Sequence, residues 1–97
     1  MTDRDGNDLP VEFRLTPRER QILGLLMIRE RAAKGQIMDH LYADSAHEPE
    51  IKIIDVYVSK MRKKLTPFGI TIWTIWGFGY RLAPDMKAKV RSYMEPA

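Results

Sequence analysis

Two groups of side chains in this 97-residue chain have types and spacings that could do chemistry. The first is His40 and His47 with Asp39, Asp44 and Glu48, residue types that ligate metals or pass protons. Their spacing follows no zinc signature, and the chain has no glycine-rich phosphate loop and no nucleophile elbow. No catalytic residue, metal site or cofactor is therefore expected, and a helix-surface His40 with a loop His47 accounts for both histidines. The second group is cationic: Lys52, Lys60, Arg62, Lys63 and Lys64, interleaved with Val56, Tyr57 and Ser59. Such cations neutralise phosphates, while the small and apolar groups between them suit base edges.

A helix must position this second group. Pro49 suits its first turn and Thr66-Pro67-Phe68-Gly69 ends it, which predicts a helix over 49–65. At about 100° per residue, Ile51, Ile54, Val58, Met61 and Leu65 share one narrow arc that must face a core. Opposite lie Lys52, Val56, Ser59 and Lys63, with Lys60 and Ile53 to one side and Tyr57, Arg62 and Lys64 on the flanks. A merely solvated face usually mixes both signs, whereas here Asp55 stands only at the margin. Residues 1–48 hold seven Lys/Arg against nine Asp/Glu, and residues 49–97 hold nine against four, within a net charge of +3. Polyanion binding through the second half is favoured over plain solvation.

Composition bounds the rest. With 44% apolar, 30% charged and 9% aromatic residues, the chain describes one small domain without a deep enclosed active site. It has no cysteine, which excludes disulfides and thiolate metal sites, and no apolar run approaches a membrane span. Val11, Phe13 and Leu15 alternate with Glu12 and Arg14, predicting a short strand or one hairpin. Thr16-Pro17-Arg18-Glu19 joins a cap hydroxyl, an N1 proline and a Glu three residues on, starting a helix that runs to about Ile28 or Arg29. Ile37, Met38, Leu41 and Tyr42 form one face of a short helix over 36–42, followed by a polar connection over 43–48.

Ile70 to Trp76 is rich in β-branched and aromatic residues and reads as a strand, and Gly77-Phe78-Gly79 turns it into Tyr80-Arg81-Leu82. Phe78 either makes an exposed contact at the tip or folds back over its own hairpin. In the tail, Met86, Val90, Tyr93 and Met94 recur at helical spacing beside Lys87, Lys89 and Arg91, compatible with an amphipathic helix that packs back, binds a partner or frays. The order predicts an α+β winged helix-turn-helix: three helices, a C-terminal β-hairpin wing and a shortened N-terminal strand or hairpin. The expected division is a flexible segment at 1–10, the domain at 11–83 and the tail at 84–97.

Leu15-Thr16-Pro17-Arg18-Glu19, the run from Ile54 to Leu65, and Thr74-Ile75-Trp76-Gly77-Phe78-Gly79-Tyr80-Arg81-Leu82 together resemble the effector domain of OmpR/PhoB-type response regulators. His40-Leu41-Tyr42, Glu48-Pro49-Glu50, Lys52-Ile53-Ile54-Asp55-Val56 and Ile75-Trp76-Gly77 are similar to its CtrA-like subgroup. The resemblance implies a bacterial, cytoplasmic, nucleoid-associated transcription factor that reads specific double-stranded DNA, with the 49–65 helix in the major groove and the 70–82 wing near the minor groove. It implies base-facing roles for Val56, Ser59 and Lys60, and backbone roles for Lys52, Tyr57, Arg62 and Thr74. It further implies pairing with a second copy or a full-length relative on direct repeats. RNA polymerase would meet the 43–48 loop, where Asp44, His47 and Glu48 are the candidates, and no membrane partner is expected.

Departures from the family qualify this picture. The chain is expected to act without a preceding receiver domain, and the family's N-terminal sheet, usually four strands, is cut short. Ala33 stands where a Ser or Thr cap is usual, which weakens the second helix by roughly 1 kcal/mol. Trp73 replaces a commonly polar residue and Phe78 an often basic one. A wing with Trp76 and Phe78 but only Arg81 nearby is expected to grip by stacking or wedging and to contribute less salt dependence than Lys63 on the helix. The alternative is an interaction module that binds RNA polymerase or a related regulator without reading DNA.

Overall fold

Thr16 and Glu19 close the first helix as their spacing predicts: the Glu19 amide donates to Thr16 Oγ1 at 3.2 Å and the Thr16 amide donates to Glu19 Oε1 at 2.9 Å. In this computed structural model, which describes residues 9–94, helix α1 spans Pro17–Ile28. Strand β1 follows at Ala32–Ala33, helix α2 at Lys34–Tyr42 and helix α3 at Ile53–Leu65. Strands β2 (Trp73–Ile75) and β3 (Gly79–Arg81) and helix α4 (Pro84–Met94) complete the order. The architecture is the α+β winged helix-turn-helix, with the two wing strands joined to β1 in an antiparallel sheet of order β1-β3-β2. The expected flexible segment lies, up to residue 8, outside the described residues, as do residues 95–97 of the tail.

The helices share one core. Ile22, Leu23 and Leu26 of α1 meet Ile37 of α2 and Ile54, Val58, Met61 and Leu65 of α3, all fully buried. Ile70, Ile72, Tyr80 and Leu82 extend this core under the wing. Glu19 is the one buried charged side chain among the described residues, and Lys64 of α3 reaches its carboxylate at 2.6 Å.

The structure differs from the sequence expectation in several places, among them Ile51, which is half exposed and does not face the core, and strand β1, which the sequence reading did not contain. Residues Val11–Phe13 form a single 3₁₀ turn, not a strand or hairpin, with the Arg14 amide donating to the Val11 carbonyl and Arg14 itself left-handed at φ 57°. Among the described residues no strand lies alongside to take the ladder bonds, and the backbone pairs locally while Phe13 still enters the core. Helix α3 begins at Ile53 and not at Pro49, because residues 50–52 accept only i→i+3 bonds from the Ile53, Ile54 and Asp55 amides. Helix α2 begins two residues earlier than the expected Gln36. Ala33 contributes no side-chain cap there, but Gln36 Oε1 accepts from its amide at 2.8 Å. Finally, β2 covers only three of the seven residues read as strand, since β3 offers partners opposite Trp73, Thr74 and Ile75 alone.

Helix α4 packs against the side of the core that Phe13 also seals. Val90 is fully buried, and Phe13, Phe68 and Tyr93 meet edge to face with ring centroids 4.8–5.7 Å apart. Lys87 Nζ ties the helix to the Arg29 carbonyl at 2.8 Å.

Candidate nucleic-acid interface

The 3.6-residue period of α3 turns Val58, Met61 and Leu65 inward and leaves Val56, Ser59, Lys60 and Lys63 exposed on the outer face. Among the described residues, Lys60 and Lys63 have no carboxylate within 4 Å, so their charge is available to a ligand. Val56 stands beside Pro49 and Ile53 in a shallow, largely apolar groove. Lys52 precedes the helix and pairs with Glu50 at 3.2 Å, both side chains lying open to solvent. Tyr57 is half-buried, and its hydroxyl shares a 2.7 Å hydrogen bond with that of Tyr42; burial, then this bond, raises its pKa.

The other candidates divide between wing and loop. Arg62 points across the sheet: its Nη2 donates to the Ile72 carbonyl at 2.7 Å and to Thr74 Oγ1 at 2.8 Å. Arg62 and Thr74 thus brace the wing on α3. Trp76 sits at the tip with 91% of its surface exposed. Phe78 is half-buried and carries the Arg31 guanidinium 4.6 Å above its ring. It therefore neither projects as a bare tip contact nor covers its own hairpin alone. Asp44, His47 and Glu48 are all exposed on the α2–α3 loop. Among the described residues no three His, Asp or Glu side chains gather as a metal site.

A junction that sequence reasoning missed fixes the angle between wing and helix. Asp55, read as marginal, accepts from the Tyr80 hydroxyl and from Lys34 Nζ at 3.0 Å. The Tyr80 hydrogen bond and then Lys34 hold the Asp55 carboxyl below its usual pKa. Burial, and then the Asp55 carboxylate, push the Tyr80 hydroxyl up to about 12. Lys34, Asp55, Arg62, Thr74 and Tyr80, with Trp76 and Phe78, line an open cleft of about 500 Å³ between α3 and the wing. Lys34 and Tyr80 lie 21 and 25 residues from Asp55. No local pattern signals either link.

No described helix is long and apolar enough to cross a membrane. Residues 11–82 match the family described as "Transcriptional regulatory protein, C terminal". The chain is 42% identical over 81 residues to proteins named "Cell cycle response regulator CtrA" from Brucella anthropi, Brucella ovis and Brucella canis, a match covering 77% of this chain. It spans about a third (34%) of the length of these curated relatives. No solved structure gives a significant match. The family match runs from the N-terminal 3₁₀ turn to the end of the wing and takes in the whole of α3. The chain belongs to the OmpR/PhoB-type effector domains, as a CtrA-like DNA-binding domain of a transcription regulator and not an enzyme.

Proposed function

We propose that the domain reads specific double-stranded DNA, with α3 in the major groove and the β2–β3 wing near the minor groove. The observation that carries this reading is the outer face of α3, where Lys60 and Lys63 are exposed and unpaired among the described residues and flank Ser59. Val56 and Ser59 supply the small contacts that distinguish base edges, and Lys60 reaches a base acceptor. Lys52, Tyr57 and Lys63 face the phosphates, which set register without reading sequence. Arg62 contributes mainly by fixing the wing, with Thr74 as its anchor. Trp76 presents the apolar part of the wing to the sugar and groove edge, with Phe78 beside it beneath the Arg31 guanidinium.

The exposed loop with Asp44, His47 and Glu48 is the proposed polymerase-facing edge, and a second copy or a full-length relative is the proposed neighbour on direct repeats. Such a domain works in the cytoplasm, on the bacterial nucleoid. Selection from random duplexes at about 0.15 M salt, where non-specific attraction is already weak, tests the reading. One enriched motif, most simply a repeat spaced by a helical turn, is expected. Weak binding that enriches no motif and vanishes as salt rises overturns it in favour of a protein partner.

A further inference from the structure

We infer that Arg31, on the loop between α1 and β1, is the wing's phosphate-binding residue, displayed for that purpose by Phe78; the inference rests on the DNA-binding reading above. The wing needs a cation from elsewhere, because the chain from Ile70 to Gly79 contains no charged residue. Arg81, the hairpin's own cation, lies over the Trp73 ring at 5.4 Å near the base of the sheet.

Arg31 reaches the tip through the sheet. Ala32 pairs with Tyr80 and Ala33 with Gly79. Tyr80 points inward to Asp55, so Arg81 and, beside it, Arg31 project from the opposite face. Gly79 lets β1, and Arg31 just before it, come this close to the hairpin, since a Cβ there would lie 2.1 Å from the Ala32 carbonyl oxygen and force β1 away. The Lys34 amide donates to the Phe78 carbonyl at 3.2 Å, and Arg29 Nε donates to the Arg31 carbonyl at 3.3 Å, so both ends of the stack are tied. The guanidinium then stands 4.6 Å over the Phe78 ring, on a residue that is otherwise exposed. Among the described residues no carboxylate lies within 4 Å of it. A guanidinium held over a ring engages its π-face and keeps its N–H edge, the edge that binds a phosphate bidentately.

The test is the salt dependence of binding, measured on the selected duplex and on an unrelated one, because a phosphate contact is blind to sequence. Arg31→Gln is expected to reduce the slope of log affinity against log salt by about 0.9 on both duplexes, and Arg31→Lys to restore most of it. Phe78→Leu keeps the apolar volume but removes the ring. It is expected to weaken binding severalfold, and to add little when combined with Arg31→Gln. An Arg31→Gln protein with the wild-type slope on both duplexes overturns the inference. A wild-type protein that shows no preference between the duplexes overturns the sequence-reading proposal instead, and the slopes on both still judge Arg31.

Discussion

Glu19 is a carboxylate shared by two elements, capping α1 through Thr16 and receiving Lys64 from α3 while only 1% exposed. Removing one partner of a fully buried pair costs about 3–5 kcal/mol, because the remaining charge has no water to replace it. Lys64 is partly open, which admits some water, so Lys64→Ala is expected to cost about 2 kcal/mol, below the cost of breaking a fully buried pair. Thermal unfolding should show this as a melting point lower by roughly 10 °C; a melting point equal to the wild type would show that the pair is already screened. Asp55 and Tyr80 give stability opposite pH limits. The Asp55 pKa in the fold lies below 3.8, so its contribution is present above that value and is lost as pH falls through the depressed one. Tyr80 is held protonated to about 12 against an ordinary 10.0, so its contribution is intact below pH 10.0 and is lost as pH rises toward 12. Asp55→Asn removes the acid-limb contribution and, with the carboxylate gone, also weakens the one that Tyr80 makes at high pH. Between about pH 5 and about pH 3 it should lose less stability than the wild type, as read from urea midpoints at each pH.

At the scale of elements, two glycines of one hairpin differ in what they permit. Gly77 has φ +76° with open space around it, so Gly77→Ala carries only the left-handed penalty of about 1 kcal/mol. Gly79 has an ordinary φ but no room, its added Cβ meeting the Ala32 carbonyl oxygen and the Ala33 Cα. Gly79→Ala should therefore cost about 3 kcal/mol, at the upper end for overpacking, and should raise amide hydrogen exchange at β1 while α1 stays protected. Equal costs for the two variants would mean that the β1–β3 contact carries no stability. The same contrast explains what the sequence made legible. Helix α1 was readable because Thr16, Pro17 and Glu19 cap it locally, and the inward face of α3 because Ile54, Val58, Met61 and Leu65 keep the helical period. Strand β1 was not readable, since two alanines carry little β preference and pair with residues nearly fifty positions away. The alternation at Val11, Phe13 and Leu15 misled for the converse reason: a period of two marks a strand only where a neighbour can pair with it. The exposed candidates on α3 were found by periodicity, whereas the Asp55 junction and Arg31 depend on tertiary approach. Helix α4 shared its amphipathic spacing with a tail that frays, and only the folded chain shows that Val90 enters the core.

For the whole molecule, the net charge of +3 is too small to explain strong attraction to DNA, so the placement of the charges must matter more than their sum. Lys60 and Lys63 of α3 share one exposed face, while Asp44, Glu48 and Glu50 lie in and just after the loop before it. Helix α4 carries further cations, but its contacts run to Phe13, Phe68, Gly69, Thr71 and Arg29, and none involves Val56, Ser59, Lys60 or Lys63. Lys63→Ala and Arg91→Gln each remove one positive charge from an exposed position, and they change the net charge equally. If binding followed net charge, both would weaken it alike. With charge placed for contact, Lys63→Ala is expected to lower the slope of log affinity against log salt by about 0.9, uniformly across sequences, and Arg91→Gln to leave it unchanged. Ser59→Ala provides the complementary case, since it removes no charge and should alter sequence preference at a constant slope. Titrating all three proteins against the same duplexes over a range of salt separates the two accounts. Equal slope losses for Lys63→Ala and Arg91→Gln would leave α3 no special place in the interface.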